Sequence, residues 1–584
     1  MSLQDLAREA GLLVDWEDAD GNAQTVGPDT LRAVLQALDL PCGSDAQIAE
    51  SRERLARAAP ETPPSAVPPR AFTLDRRAWG IGVQGYGLRG PGCPEFGDFG
   101  ALAGFAAEAA RAGADAVAIS PVHALFAADP GRYGPYGPSS RLFLNGLYAC
   151  ARTPPDPAGE GGELIDWASA IPRKLARLRQ DHAELTDRSG LDAFIAKGGR
   201  DLFDHAVFEA IHGRLFPELG SHGWKAWPAA LHDPRSPAVA GFAREHAAEV
   251  DFHLFLQWRA DQDLAAAQAA ARAAGMAVGL IADLAVGMDG GGSHAWSRRG
   301  DLLKGLSVGA PPDMFQPAGQ DWGLAAFSPM ALKATAYEGF RATLQAAMRH
   351  AGGVRIDHAM GLRRLWLVPQ GAGPTEGAYL TYPSEDLLRI LAEESRAHGA
   401  IVVAEDLGTV PEGFRQTLEA RGMMGMRVLW FERTPEGGFL SPGGWTAAAA
   451  ALTTTHDLPT VAGWWKGLDL EWAARLGREA DSAGKRAADR ARLWTACGGE
   501  GPPPGPDDPA LAVDGAIAFV ASTPCELALV AAEDLLGIDD QPNLPGTLDE
   551  HPNWRRRLPP APLSDPDAAR RIGLLAAARP RPPR

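Results

Sequence analysis

Two apolar patterns alternate along the chain. Short blocks are apolar at nearly every position, and longer stretches carry apolar residues at helical spacing. A strand with one wet face alternates apolar and polar positions, whereas a parallel strand covered on both faces does not. The continuous blocks therefore read as buried parallel strands, at 79–84, 115–120, 277–283, 353–357, 400–405, 426–431, 452–457 and 516–521. Helical stretches such as 102–111 and 261–274 separate them. Eight strand–helix repeats predict an α/β fold, a (β/α)8 TIM barrel. A doubly wound open sheet is the alternative. It ranks lower because the Gly-rich stretch Gly80-Ile81-Gly82-Val83-Gln84-Gly85 opens no helix and lacks the spacing of a phosphate loop.

The flanks depart from this repeat. Leu3, Leu6 and Ala7, then Leu31, Ala33, Val34 and Leu38, recur at helical spacing, and Asp29-Thr30 is a plausible helix start. Residues 1–65 are read as a small N-terminal helical extension. The proline-rich stretch 61–69 is read as a linker, and the barrel domain spans 71–584. The interval between strands two and three, about 125–275, exceeds one helix and is read as a mainly helical insertion.

Composition narrows the class. The 584 residues carry a net charge of −17, which disfavours nucleic acid or an anionic membrane surface as partner. The first residues do not have the form of a signal peptide, and no apolar run of about 18 or more residues suggests a membrane span. The five cysteines are scattered without a CxxC pair, so reduced thiols in a cytoplasmic protein are expected. Sequence leaves monomer and homodimer both open.

The candidate chemistry sits where strands end. The block at 353–357 closes on Asp357, the next on Glu405 and a later one on Asp457, separated by 405 − 357 = 48 and 457 − 405 = 52 residues. α/β barrels keep their catalytic groups at the carboxyl ends of strands. A lone acid there is usually a cap or loop residue. Three in one barrel suit glycosidic bond cleavage, with one carboxylate as nucleophile, a second protonated as acid, and a third binding hydroxyls. Arg355 lies two residues before Asp357, on the same strand face, where it would keep Asp357 ionised. His358 and His456 sit beside acids and would hydrogen-bond sugar hydroxyls. No HxH or HxxxH spacing occurs near the acids, so a catalytic metal is not expected.

At these residues the chain resembles a known family. Arg355-Ile356-Asp357-His358, Ala404-Glu405-Asp406-Leu407-Gly408 and Thr455-His456-Asp457 are similar to the three acid motifs of the 4-α-glucanotransferases. These enzymes, also called amylomaltases or disproportionating enzymes, form glycoside hydrolase family 77 of the α-amylase clan. Tyr133-Gly134-Pro135-Tyr136-Gly137-Pro138-Ser139-Ser140-Arg141, followed by Asn145, resembles the loop after strand two. Asp283-Leu284-Ala285-Val286-Gly287, Gly309-Ala310-Pro311-Pro312-Asp313 and Gly319-Gln320-Asp321-Trp322-Gly323 resemble the third-strand motif and the loop beyond it. Asn543-Leu544-Pro545-Gly546-Thr547 and His551-Pro552-Asn553-Trp554-Arg555 resemble the C-terminal signature, and the likeness runs from about 79 to 558.

The resemblance implies Asp357 as nucleophile, Glu405 as general acid/base and Asp457 as transition-state stabiliser. It places Tyr136, Asp283, Arg355, His358 and His456 around the −1 sugar. Among the 16 tryptophans, Trp322 is the expected sugar platform. The implied reaction moves an α-1,4-glucan segment to the 4-hydroxyl of an acceptor glucan or glucose, with maltodextrin as donor and acceptor, and the resemblance implies no cofactor or metal. Gly134 and Gly137 stand where the family has Ser, and Gly146 where it often has Pro. The extension resembles that of one branch of the family, without the large β-rich region some relatives carry next. Two other readings stay open: an α-glucan hydrolase of the α-amylase kind, and a non-enzymatic carbohydrate-binding protein, which loss of one acid would have marked.

Overall fold

Eight short parallel strands close into a barrel: β1 Ala78–Val83, β2 Ala116–Ile119, β3 Gly279–Leu284, β4 Gly353–Ile356, β5 Ile401–Ala404, β6 Met424–Val428, β7 Ala449–Leu452 and β8 Leu527–Ala531. Each pairs with its sequence neighbours, and β8 returns to β1 through Leu527 opposite Ala78. The computed structural model describes residues 2–18, 21–57, 67–155, 162–312, 316, 318–478 and 481–581. Inside the barrel pack Ala78, Ala116, Ile281, Val403, Met424, Met426, Ala450 and Leu527. Small residues make the closure sterically feasible. A Cβ on Gly352 would stand 1.9 Å from the carbonyl oxygen of Val278, so no larger residue fits the entry to β4.

The register serves the site. On β3 and β4, Asp283 is directly opposite Arg355, so an acid and a guanidinium are neighbours at the barrel mouth before any loop contributes. The 125–275 interval is mainly helical: Trp167–Ala183, Ser189–Leu219, Pro237–Glu245 and Ala247–Ala273, with a short hairpin of His123–Ala124 and Ser140–Leu144 before them.

Several expected elements shift. The block at 516–521 is not a strand. It belongs to the helix Ala510–Ser522, and the eighth strand is Leu527–Ala531. A helix buried on nearly all sides shows the same continuous apolar run as a buried strand, so a six-residue window does not separate the two. Strands six and seven begin earlier than read, at Met424 and Ala449. Asp457 therefore lies five residues past the end of β7 (457 − 452), on a loop rather than at the strand's last residue. Trp464 and Trp465 are buried in the helix Val461–Lys466 that follows it. Of the linker read at 61–69, residues 61–66 lie outside the described residues, as does Asp313 of the quoted loop motif.

A second sheet was not anticipated. Five antiparallel strands run in the order Ala378–Thr381, Arg364–Pro369, Leu306–Ala310, Gln320–Ala325, Met288–Asp289. They come from the segments following β3 and β4 and pair over more than fifty residues of sequence, from Leu306 to Pro369. The N-terminal extension seats on this sheet. Its helices Leu3–Glu9, Pro28–Ala37 and Asp45–Arg57 share one apolar core with it, and Leu13 N–H donates to the Tyr379 carbonyl (2.9 Å). Trp16 meets Trp366 edge-on, with ring centres 4.8 Å apart. The extension also contains a small hairpin, Asp15–Glu17 with Ala23–Thr25.

Candidate active site

At the carboxyl end of β4, Arg355 Nη1 donates to both oxygens of Asp283 (2.8 and 2.9 Å) and to Oδ1 of Asp357 (2.9 Å). One part-buried cation thus bridges two acids from adjacent strands. Tyr136, carried on the loop between His123–Ala124 and Ser140–Leu144, donates its hydroxyl to Asp283 Oδ2 (2.6 Å). Burial and the neighbouring Asp283 hold the Tyr136 phenol well above its usual range, so it remains a donor. Burial also raises the Asp283 carboxyl, against the pull of Arg355.

Glu405 follows β5. Its Oε2 accepts the His358 N–H (2.8 Å) and its Oε1 the Leu407 N–H (2.7 Å). The first contact comes with an unusual backbone: His358 has φ 45°, in the left-handed region that non-glycine residues seldom occupy. The conformation turns its N–H toward Glu405, and the next N–H, of Ala359, donates to the Glu405 carbonyl (2.9 Å). Burial, helped by the negative Asp357, pushes the Glu405 carboxyl up to about 7, although Arg355 and the two N–H groups oppose this. Burial pulls the His358 imidazole down to about 4, so it is neutral near pH 7. Trp322 meets the His358 ring edge-on at 5.2 Å.

Asp457 sits across the mouth with 44% of its side chain exposed. Asn543 Nδ2 donates to its Oδ1 (2.6 Å), and His456 Nε2 lies 3.2 Å from its Oδ2. The surrounding protein disfavours its charge, yet His456 and Asn543 outweigh that and hold the carboxyl below its ordinary value. The His456 ring responds in kind: burial opposes its charge, Asp457 prevails, and the imidazole is raised. Its other nitrogen, Nδ1, is 3.2 Å from the Tyr136 hydroxyl, and the two rings stack at 4.6 Å. Trp554 closes the stack, 5.3 Å from His456 and 5.7 Å from Tyr136.

All nine residues singled out in the sequence therefore converge on one end of the barrel. A cavity of about 100 Å³ opens there between Tyr136, Asp283, Arg355 and His456. Asn543, Trp554 and Gln541, whose amide donates to the Asp457 carbonyl (3.1 Å), join them without having been singled out. Two of the three lie in the quoted C-terminal motifs, but only a fold that brings residues 541–554 back over β7 makes them neighbours of Asp457. Among the described residues no group of three or more His, Cys, Asp or Glu is arranged to hold a metal ion. No helix among them is long and apolar enough to cross a membrane.

A family model described as 4-alpha-glucanotransferase (glycoside hydrolase family 77) matches residues 83–563. A 4-alpha-glucanotransferase of Mycobacterium tuberculosis is 38% identical over 544 residues, which covers 84% of this chain and 72% of the relative. One from Haemophilus influenzae is 30% identical over 530 residues, covering 83% and 76%. Among solved structures, amylomaltase from Corynebacterium glutamicum superposes with a TM-score of 0.84 at 25% identity, covering 98% of this chain and 99% of that one.

Proposed function

The chain belongs to the 4-α-glucanotransferases of glycoside hydrolase family 77 and is an enzyme of glucan transfer; from that premise we propose that it works by retaining double displacement through Asp357, Glu405 and Asp457. The ionised Asp357 attacks the anomeric carbon of the sugar in the −1 position. Protonated Glu405 delivers its proton to the departing glycosidic oxygen, and a glucosyl ester of Asp357 forms. Once the leaving segment has gone, the 4-hydroxyl of an acceptor glucan or glucose enters. Glu405, now a carboxylate, takes that hydroxyl's proton as its oxygen attacks the ester carbon. A new α-1,4 bond forms, and both acids return to their starting states. Asp457, steadied by Asn543 and His456, binds ring hydroxyls and favours the distorted, positively charged transition state.

One observation carries this reading: two acids on neighbouring strand ends stand in different surroundings. Asp357 lies on the Arg355 guanidinium, while Glu405 is pushed up to about 7 by burial and by Asp357. A nucleophile and an acid need that division. The Tyr136–His456–Trp554 stack and the edge of Trp322 supply aromatic surface for sugar rings.

Incubation with maltotriose tests the reaction. Transfer yields glucose together with a ladder of longer maltodextrins, whereas shorter products alone would mean that water is the acceptor. Asp357→Ala and Glu405→Gln are each expected to lower turnover by about 10³-fold or more with the fold intact. Substantial transfer by either variant would remove its residue from the proposed role.

A further inference from the structure

The Tyr136 hydroxyl reaches Asp283 at 2.6 Å and His456 Nδ1 at 3.2 Å, so both contacts depend on where its loop is held. The loop has little stiffness of its own. Gly131, Gly134 and Gly137 punctuate it, and each leaves the backbone many conformations. Within 131–137 its own hydrogen bonds are Gly131 N–H to Asp129 Oδ1 (2.9 Å), Arg132 N–H to the Asp129 carbonyl (3.1 Å) and Gly137 N–H to the Gly134 carbonyl (3.4 Å). None of them fixes the loop to the barrel. That has to come from other segments.

Asp289 grips the loop from the short strand Met288–Asp289, beyond β3. Its N–H donates to the Pro138 carbonyl (2.8 Å), and its carboxylate accepts from the Arg132 guanidinium. Arg132 and Pro138 lie on either side of Tyr136, so one residue holds both limbs of the loop. The carboxylate is buried and has further partners. Gly291 N–H donates to Oδ1 (2.7 Å), and His222 Nε2 lies 3.3 Å from Oδ2. Burial works against the Asp289 charge, yet His222, Arg132 and the Gly291 N–H outweigh it and hold the carboxyl below its ordinary value.

Neighbouring groups complete the cradle. Ser293 N–H donates to Ser139 Oγ (2.9 Å), and His294 N–H to the Ser139 carbonyl (3.0 Å). A Cβ on Gly292 would stand 2.4 Å from that carbonyl oxygen, so the close approach requires glycine there. From the helical insertion, Trp224 N–H donates to the Gly291 carbonyl (3.2 Å), and the His222 ring meets Phe126 edge-on at 4.8 Å. Residues 289–294 thus tie the insertion to the loop that carries Tyr136, and Asp289 is the one carboxylate among them.

Taking Tyr136 as part of the −1 site, the reading on which this rests, we propose that Asp289 is a positioning residue for glucan transfer. Through Arg132 and Pro138 it fixes the Tyr136 hydroxyl against Asp283 and His456. Misplacing a group at the reacting centre by about 1 Å can cost on the order of 10²-fold in rate. Losing the Arg132 contact while the backbone contact at Pro138 remains should cost less than that.

Steady-state kinetics of the full-length protein on maltotriose test this in a double-mutant cycle. Asp289→Asn keeps an acceptor for the Gly291 N–H and removes the charge facing Arg132. It should lower kcat about tenfold while KM changes less than about threefold. Tyr136→Phe keeps the ring, removes the hydroxyl and should also lower kcat about tenfold. In the Tyr136→Phe background, Asp289→Asn should cost less than about threefold more, because the group it positions is gone. Arg132→Gln should repeat the loss seen in Asp289→Asn, and Arg132→Lys should recover most of it. If circular dichroism shows Asp289→Asn unfolded, Arg132→Gln takes its place in the cycle and decides. The proposal is overturned if kcat is unchanged in Asp289→Asn, if the two losses multiply in full, or if Arg132→Lys is no better than Arg132→Gln. Asp357→Ala, measured alongside, separates the two readings. With that variant inactive, any of these results overturns the positioning role alone. An active Asp357→Ala overturns the site reading and the positioning role with it.

Discussion

In the proposed cycle Glu405 is an acid in one half and a base in the other, which would place its useful pKa near the working pH. Burial and Asp357 push it to about 7. Activity that needs the protonated form should therefore fall as pH rises through about 7, visible as the alkaline limb of kcat/KM on maltotriose. The same shift has a cost in stability. In the unfolded chain Glu405 returns to its ordinary value near 4.5. Its folded pKa is the higher of the two, so between these values the native state binds more protons. The stabilisation from holding that proton is fully present below about 4.5 and is lost as pH rises through about 7. Glu405→Gln removes this titration. Its Tm relative to the parent protein should rise between pH 5 and pH 8, and a difference independent of pH would contradict the assignment. Asp457 is held in the opposite direction by His456 and Asn543, so it remains a carboxylate where Glu405 is still protonated.

Between residues and fold, the loops leaving β5 and β4 are held by their own devices. Asp406, fully buried beside Glu405, accepts from the Met426 N–H (2.7 Å), Arg427 Nη1 (3.0 Å) and Arg415 Nε (2.7 Å). It pins the start of the β5 loop to β6. Asp406→Ala would take from the buried Arg427 its nearest carboxylate, leaving the Met426 carbonyl and Glu432 at 3.8 Å, at an expected loss of about 3–5 kcal/mol in denaturant unfolding. Asp406→Asn, which keeps an acceptor, should lose less. Trp322 acts from another element, the strand Gln320–Ala325 of the antiparallel sheet, where it reaches His358 rather than any acid. Trp322→Ala is expected to raise KM for maltodextrin about tenfold with a smaller change in kcat, as loss of a stacking surface would. A matching fall in kcat alone would mean that it positions the His358 backbone instead.

For the whole molecule, the antiparallel sheet joins the N-terminal extension to the catalytic mouth. One side of this arrangement holds Trp16 against Trp366 and Tyr379, with ring centres at 4.8 and 6.0 Å. Trp16→Ala should destabilise the protein by roughly 1–3 kcal/mol, less than a full core deletion because Trp16 is only part-buried. Combined with Trp366→Ala in a double-mutant cycle, the coupling should be about 0.5–1.5 kcal/mol. Additive losses would show that the edge-on contact contributes nothing of its own.

The local pattern was enough to place seven of the eight barrel strands and most of the helical insertion, and to single out Asp357, Glu405 and Asp457 as candidate acids, whereas Tyr136 and Asp283 entered only through the motif resemblance. Burial on both faces leaves a continuous apolar run, and Asp357 and Glu405 stand where such runs end, while Asp457 lies on the loop beyond one. The pattern failed where two burial states look alike, so the helix Ala510–Ser522 passed for a strand. It was silent on pairings made across long intervals, such as Leu306–Ala310 with Arg364–Pro369. Register set Arg355 opposite Asp283, and chain return brought Asn543 and Trp554 to Asp457 and His456. The proton state of Glu405 was likewise decided by tertiary structure alone. It depends on how much water the fold removes and which charges it sets nearby, and neither is a property of the residues on either side.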